Sequence, residues 1–221
     1  MKAKIDWLLP KFMRVPVLVA VLFNFFVYLA PSRLFVTDVV RYDMSIGLDR
    51  MLPCIPAFLL IYVLAYVQWV FSYVWHCRDS ERLTYHLCTA NMIAKSLCLL
   101  CFIFLPTQIV RPEITGDGLF SWGLRLVYTI DDPVNLFPSI HCVESWMCFR
   151  TAMMLQKKTG WYITAQGIFT LLVFASIVLV KQHVVLDIFA GVLVCEIGLF
   201  LSRRFGLWRL FHKLQPSWAR K

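Results

Sequence analysis

Residues Val15–Ala30 read VPVLVAVLFNFFVYLA, a run without a single charge. Its length approaches the roughly 20 apolar residues that an α-helix needs to cross the hydrocarbon of a bilayer. Backbone groups in lipid have to bond internally, so such a run crosses as a helix. Further apolar runs follow at Pro53–Trp75, Leu87–Val110, Pro138–Leu155, Trp161–Val180 and Val184–Leu201. The expected fold is therefore an all-α integral membrane protein with six transmembrane helices, forming a single domain over 1–221. Composition agrees. The chain is 60% hydrophobic and only 16% charged, with a mean hydropathy of +0.69, more apolar than a soluble core of this size requires. The basic N-terminal stretch MKAKIDWLLPKFMR precedes the first run, and no small-residue cleavage site follows that run, so it reads as an uncleaved span.

The formal charge of +9 would suggest nucleic acid in a soluble protein. Here no basic stripe interleaved with aromatics lies outside the apolar runs, and nucleic acid is not an expected partner. The basic residues instead set orientation. With the N-terminus inside, the inner segments 1–14, 76–86, 150–160 and 202–221 hold Lys2, Lys4, Lys11, Arg14, Arg78, Arg82, Arg150, Lys157, Lys158, Arg203, Arg204, Arg209, Lys213, Arg220 and Lys221. The outer segments hold only Arg33, Arg41, Arg50, Arg111, Arg125 and Lys181, with Lys95 inside the third run. This asymmetry predicts both termini in the cytoplasm. The outer stretch 31–52 alternates charged and apolar residues, as a segment lying along the interface would. The eight cysteines fall mostly inside apolar runs, where a free thiol behaves as a small hydrophobe. Cys98 and Cys101 have C-x-x-C spacing but no nearby polar partners, and no metal site is expected there.

With this orientation, three polar motifs reach one side of the bilayer at similar depth. KQHVVLD, Lys181–Asp187, opens the sixth run; His183 and Asp187 are four residues apart and share a helix face. A carboxylate there can bond one ring N–H and fix the tautomer, leaving the other nitrogen as a nucleophile. A structural His–Asp bond between helices would explain the pair equally well. NLFPSIHC, Asn135–Cys142, opens the fourth run. Ser139 can cap the helix, whose first-turn N–H groups attract an anion, and His141 stands beside them, placed to protonate a leaving group. An N-cap with an interfacial histidine is the ordinary alternative. PTQIVRPEI closes the third run, and its Arg111 is either a bidentate phosphate partner or a snorkelling side chain. Jointly the motifs supply a nucleophile, an acid, an orienting carboxylate and an anion clamp, a set suited to phosphoryl transfer. No cluster has the spacing of metal ligands, so no metal or other cofactor is expected.

The series RP, PSIH, H-x-x-x-D, spread over 111–187, resembles the three-part signature of the type 2 phosphatidic acid phosphatase superfamily, and its fuller forms PTxxxRP, FPSIH and KQHxxxD are most similar to the branch related to inositol phosphorylceramide synthase. The resemblance covers roughly the second half of the chain, with the motifs within 104–187. It implies a metal-independent six-helix enzyme that works through a phosphohistidine. His183 would then be the nucleophile, Asp187 its orienter and His141 the acid, with Arg111, Ser139 and adjacent backbone holding phosphate. Two cations of the fullest family pattern are absent, since Phe104 stands where it has a lysine and Ile177 where it has an arginine, although Ser176 matches the serine before it. Lys181 is the candidate replacement. Asn135, Gln182 and Glu144 are polar and close to the motifs, without an assigned role.

The function so implied is a lipid phosphatase acting on a phosphorylated lipid in the bilayer, expected in a bacterial plasma membrane with its site facing outward. Transfer to a lipid or polyol hydroxyl differs only in what attacks the phosphohistidine. A lipid transporter using the same basic outer face is a third possibility. It would need polar residues deep in the spans, and those present are few: Asn24, Gln68, Asn91, Lys95, Gln166 and Glu196.

Overall fold

The computed structural model describes residues 6–31, 39–216 and 219. The basic residues Lys2, Lys4, Arg33, Arg220 and Lys221 lie outside the described residues. The chain folds into helices α1 (Lys11–Ala30), α2 (Gly47–Met51), α3 (Leu59–Cys77, entered through a 3₁₀ turn at Pro56–Phe58), α4 (Glu81–Phe104), α5 (Leu119–Ile130), α6 (Ile140–Ala152), α7 (Gly160–Leu179), α8 (Val185–Arg204) and α9 (Arg209–Leu214). Two short strands, β1 (Tyr42–Asp43) and β2 (Thr107–Gln108), pair in parallel.

Among the described residues, five helices are long and apolar enough to cross a membrane: Lys11–Ala30, Pro56–Cys77, Glu81–Phe104, Gly160–Leu179 and Val185–Arg204. Large apolar side chains such as Leu22, Val67, Val70 and Leu171 are more than half exposed on their outer surfaces, as in a protein solvated by lipid. The run Pro138–Leu155 forms only the shorter α6, 13 residues or about 20 Å of rise. Ser139 caps its start, accepting from the Cys142 N–H at 3.4 Å. It packs against α3, α4, α7 and α8, and its residues Cys142, Val143, Ser145, Met147 and Cys148 are essentially inaccessible. The third run also ends earlier than its hydropathy suggests. Its helix stops at Phe104 because Pro106 disfavours helical backbone at the residue before it, and β2 follows.

The central helix is α4, which packs most extensively on α8 and α1. Ser80 caps its first turn by accepting from Leu83 N–H at 3.3 Å. The α4–α8 contact depends on Gly198. A Cβ there would stand 2.3 Å from the Ala90 carbonyl oxygen, so backbone meets backbone, as small residues allow in membrane bundles. Polar groups inside the bundle find partners across helices. Gln68 donates to Gln166 Oε1 at 2.8 Å, and Gln166 donates to Ser72 Oγ at 3.1 Å. His76 Nδ1 and Nε2 lie 2.8 Å from the Thr151 and Tyr162 hydroxyls. Arg150 grips Glu196 at 2.6 and 3.2 Å. Lys95 and Glu144 form an ion pair at 2.9 Å, with Asn91 and Tyr73 donating to the same carboxylate. Without water to hydrogen-bond, each such pairing is a condition for burial. All eight cysteines are free.

Candidate active site

The turn from α7 into α8 places His183. The Gln182 and His183 N–H groups both donate to the Ile177 carbonyl at 3.0 Å, folding the chain back over the end of α7. This requires a left-handed residue, and Lys181 takes it with φ 53°, where glycine usually sits. A side chain with a Cβ costs roughly 1–2 kcal/mol in that conformation. The carboxylate of Asp187 then accepts from the Val184 N–H at 3.1 Å and lies 3.0 Å from His183 Nδ1. Asp187 is fully buried. One oxygen thus starts the helix and fixes the imidazole, which leaves Nε2 of His183 for chemistry.

His141 is reached from the first turn of α6. Its ring stacks on Tyr62 at 4.3 Å between centroids and is flanked by Tyr66 at 5.4 Å and Trp69 at 5.1 Å. These three residues stand at i, i+4 and i+7 on α3, one face of that helix. The His141 and His183 rings are 6.0 Å apart. Ser139 is buried, and its N–H approaches the Asp187 carbonyl at 3.4 Å, so the starts of α6 and α8 touch. Gly191 permits this approach, because a Cβ there would stand 2.7 Å from that of Cys142.

Arg111 leaves β2 towards the same place. Its Nη1 donates to the carbonyls of Asp131 at 2.6 Å and Tyr128 at 3.4 Å, its Nη2 donates to Gln182 Oε1, and its guanidinium lies 4.7 Å above the Tyr128 ring. Burial pulls its pKa below the usual value, and the Asp131 charge opposes that pull. Arg111 therefore ties the loop after α5 to the residue before His183. Lys181 is similarly engaged: its ammonium donates to the carbonyls of Asp49 at 2.8 Å and Leu52 at 2.7 Å. Asp49, buried in α2, accepts in turn from the Ile46 N–H at 2.9 Å and the Val185 N–H at 2.8 Å. Residues 39–52, the described part of the stretch 31–52, are thus bound over the His183 turn.

His183 borders two chambers. The first, about 370 Å³, is lined by Tyr28 of α1, Tyr62, Tyr66 and Trp69 of α3, and by His141, Gln182 and Asn135. The second, about 520 Å³, is lined by Asp43, Asp49, Arg50, Arg111 and Lys181. Within the described residues, Asn135 Oδ1, His141 Nε2, Gln182 Nε2 and Arg111 Nε are buried without a hydrogen-bond partner. Buried polar atoms usually have partners, and three of these four belong to residues that line the first chamber. The sequence-predicted residues Arg111, Ser139, His141, Lys181, His183 and Asp187 all come to this one end of the bundle. His141 faces the first chamber, while Arg111 and Lys181 face the second. The aromatic wall around His141 escaped sequence reading, although the spacing of Tyr62, Tyr66 and Trp69 carried it. Arg50 gave no such signal.

Comparison with family models, with curated proteins and with solved structures returned no match.

Proposed function

We propose that this protein is a membrane-embedded lipid phosphatase that works through a phosphohistidine, as its resemblance to the type 2 phosphatidic acid phosphatase superfamily implies. In this reading the chain crosses the membrane six times, with α6 as the fourth crossing, both termini are cytoplasmic and the site faces outward, in a bacterial plasma membrane. The observation that carries the proposal is the 3.0 Å contact between His183 Nδ1 and Asp187, with His141 6.0 Å away across the chamber. A carboxylate that holds Nδ1–H keeps the lone pair on Nε2. That nitrogen attacks phosphorus, the bond from phosphorus to the lipid oxygen breaks, and His141 gives its proton to the departing alkoxide. Water then attacks the phosphohistidine and loses its proton to His141, releasing phosphate and restoring both rings.

The chamber walls support a lipid substrate. Phe25, Tyr28 and Leu29 of α1 and Tyr66 of α3 line the first chamber and are each about half exposed. These side chains carry the chamber rim to the lipid-facing surface. A phosphorylated lipid can place its head group at His141 and His183 while its chains stay among them. Transfer to an alcohol uses the same intermediate, with a hydroxyl in place of water.

The test is a panel of lipid phosphates presented to the purified protein, with and without alcohol acceptors, and with alkaline detergent quenching to trap phosphoenzyme. Phosphate release and an acid-labile, base-stable phosphoprotein that disappears in His183→Ala are expected. Release of phosphate without any trapped phosphoprotein, or trapping that persists in His183→Ala, would overturn the mechanism. Product carrying the phosphoryl group on the alcohol would make it a transferase.

A further inference from the structure

From the second chamber we infer that Arg50 is a phosphate-binding residue, the third cation of an anion subsite on the outer side of His183. The inference rests on the phosphoryl-transfer reading of His183 and names what the chamber beside it holds. Spreading charge over three phosphoryl oxygens calls for more than one cation. Arg111 spends Nη1 on two carbonyls and Nη2 on Gln182, and Lys181 gives two of its N–H groups to Asp49 and Leu52. Arg50 lines the same chamber, is exposed, and has no hydrogen bond or ion pair among the described residues. Its planar fork suits two phosphate oxygens at once.

The position of Arg50 is not left to a loose segment. The residue before it, Asp49, is bonded through both carboxylate oxygens, to Ile46 and to Val185 at the start of α8. The strand before α2 pairs with β2 just ahead of Arg111. Arg50 is thereby fixed relative to the turn that carries His183. The chamber also contains two carboxylates. Asp49 is occupied as described, and Asp43 accepts from the Ser45 N–H at 2.8 Å. Three cations against two engaged carboxylates leave the chamber net positive. Its ligand is a phosphate group, either the phosphoryl end of a lipid or the free phosphate that hydrolysis releases.

The experiment measures inorganic phosphate binding by titration calorimetry on the purified full chain, native, Arg50→Gln and Arg50→Lys. Affinity is expected to fall about tenfold in Arg50→Gln, the loss of one charge-assisted contact, and to fall less in Arg50→Lys, which keeps the charge but not the fork. KM for a lipid phosphate in mixed micelles is the second arm. A parallel rise in KM assigns the subsite to the lipid's phosphoryl group. An unchanged KM with weakened phosphate binding assigns it to phosphate leaving the site. Equal phosphate affinity in native protein and Arg50→Gln, or no binding to the native protein, overturns the inference. A native protein that binds phosphate through Arg50 but turns over no lipid phosphate would defeat the phosphatase reading and leave the subsite standing. Turnover with Arg50-independent phosphate binding would do the reverse.

Discussion

Glu144 holds Lys95 in an ion pair at 2.9 Å, one helical turn below His141, with Lys95 at 0% side-chain exposure. Removing one partner of a buried pair strands the other charge and commonly costs about 3–5 kcal/mol, whereas removing both is far milder. Lys95→Met and Glu144→Gln should each lower the thermal unfolding temperature in detergent. The double variant should be more stable than the sum of the two losses implies. Additive losses would show that the pair is not coupled.

The two histidines should fail differently. In the proposed mechanism His183→Ala removes the nucleophile and should abolish phosphoenzyme with every substrate. His141→Ala removes the acid, a contribution of about 10²–10⁴-fold. It should spare the phosphorylation step, read as the burst of released leaving group, for a substrate whose leaving group departs without a proton, such as an aryl phosphate. Equal losses of that burst rate on aryl and alkyl phosphates in His141→Ala would show that its role is misassigned.

Lys181 combines a glycine-like backbone conformation with an ammonium bonded to two carbonyls. Lys181→Gly should relieve the backbone yet loosen α2, because the ties to Asp49 and Leu52 go with the side chain. Limited proteolysis within 39–52 should quicken in both Lys181→Gly and Lys181→Met. The kcat of both variants should fall more than KM changes, as expected of a group that supports the transition state. Lys181→Arg should keep part of the rate. Full kcat and native proteolysis in Lys181→Met would remove Lys181 from the site.

Orientation can be read at two open glycines. A side chain at Gly118 or Gly160 would meet nothing within 4 Å. Cys142 and Cys77 are both 0% exposed and will not report. In intact cells an impermeant thiol reagent should label Gly118→Cys and spare Gly160→Cys until the membrane is permeabilised. The opposite pattern would place His141 and His183 on the cytoplasmic side.

The hydropathy of the runs carried the long helices, and their alternation along the chain brought Arg111, His141 and His183 to one end. Both are local properties that a chain shows without folding. The length of α6 was not local: Ser139 stops it on one side, and its surroundings, not its own hydropathy, keep it from lipid. The Lys95–Glu144 pair was equally hidden, because α4 and α6 meet only in the folded bundle. Arg50 belongs to the site through a carboxylate that reaches Val185 across more than a hundred residues, and no spacing rule spans such a distance.

The Tyr28 hydroxyl donates to Asp131 at 2.7 Å, linking the end of α1 to the loop after α5 beside the first chamber. On the lipid-phosphatase reading, a substrate that reaches the first chamber from the bilayer does so by diffusing in a plane. What sets its encounter rate is therefore its mole fraction among other lipids, not its molarity in water. Diluting it with inert phospholipid should slow turnover even when the total amount of substrate per volume is unchanged. In such a system fatty-chain length, which never leaves that plane, would weigh little in the choice of substrate.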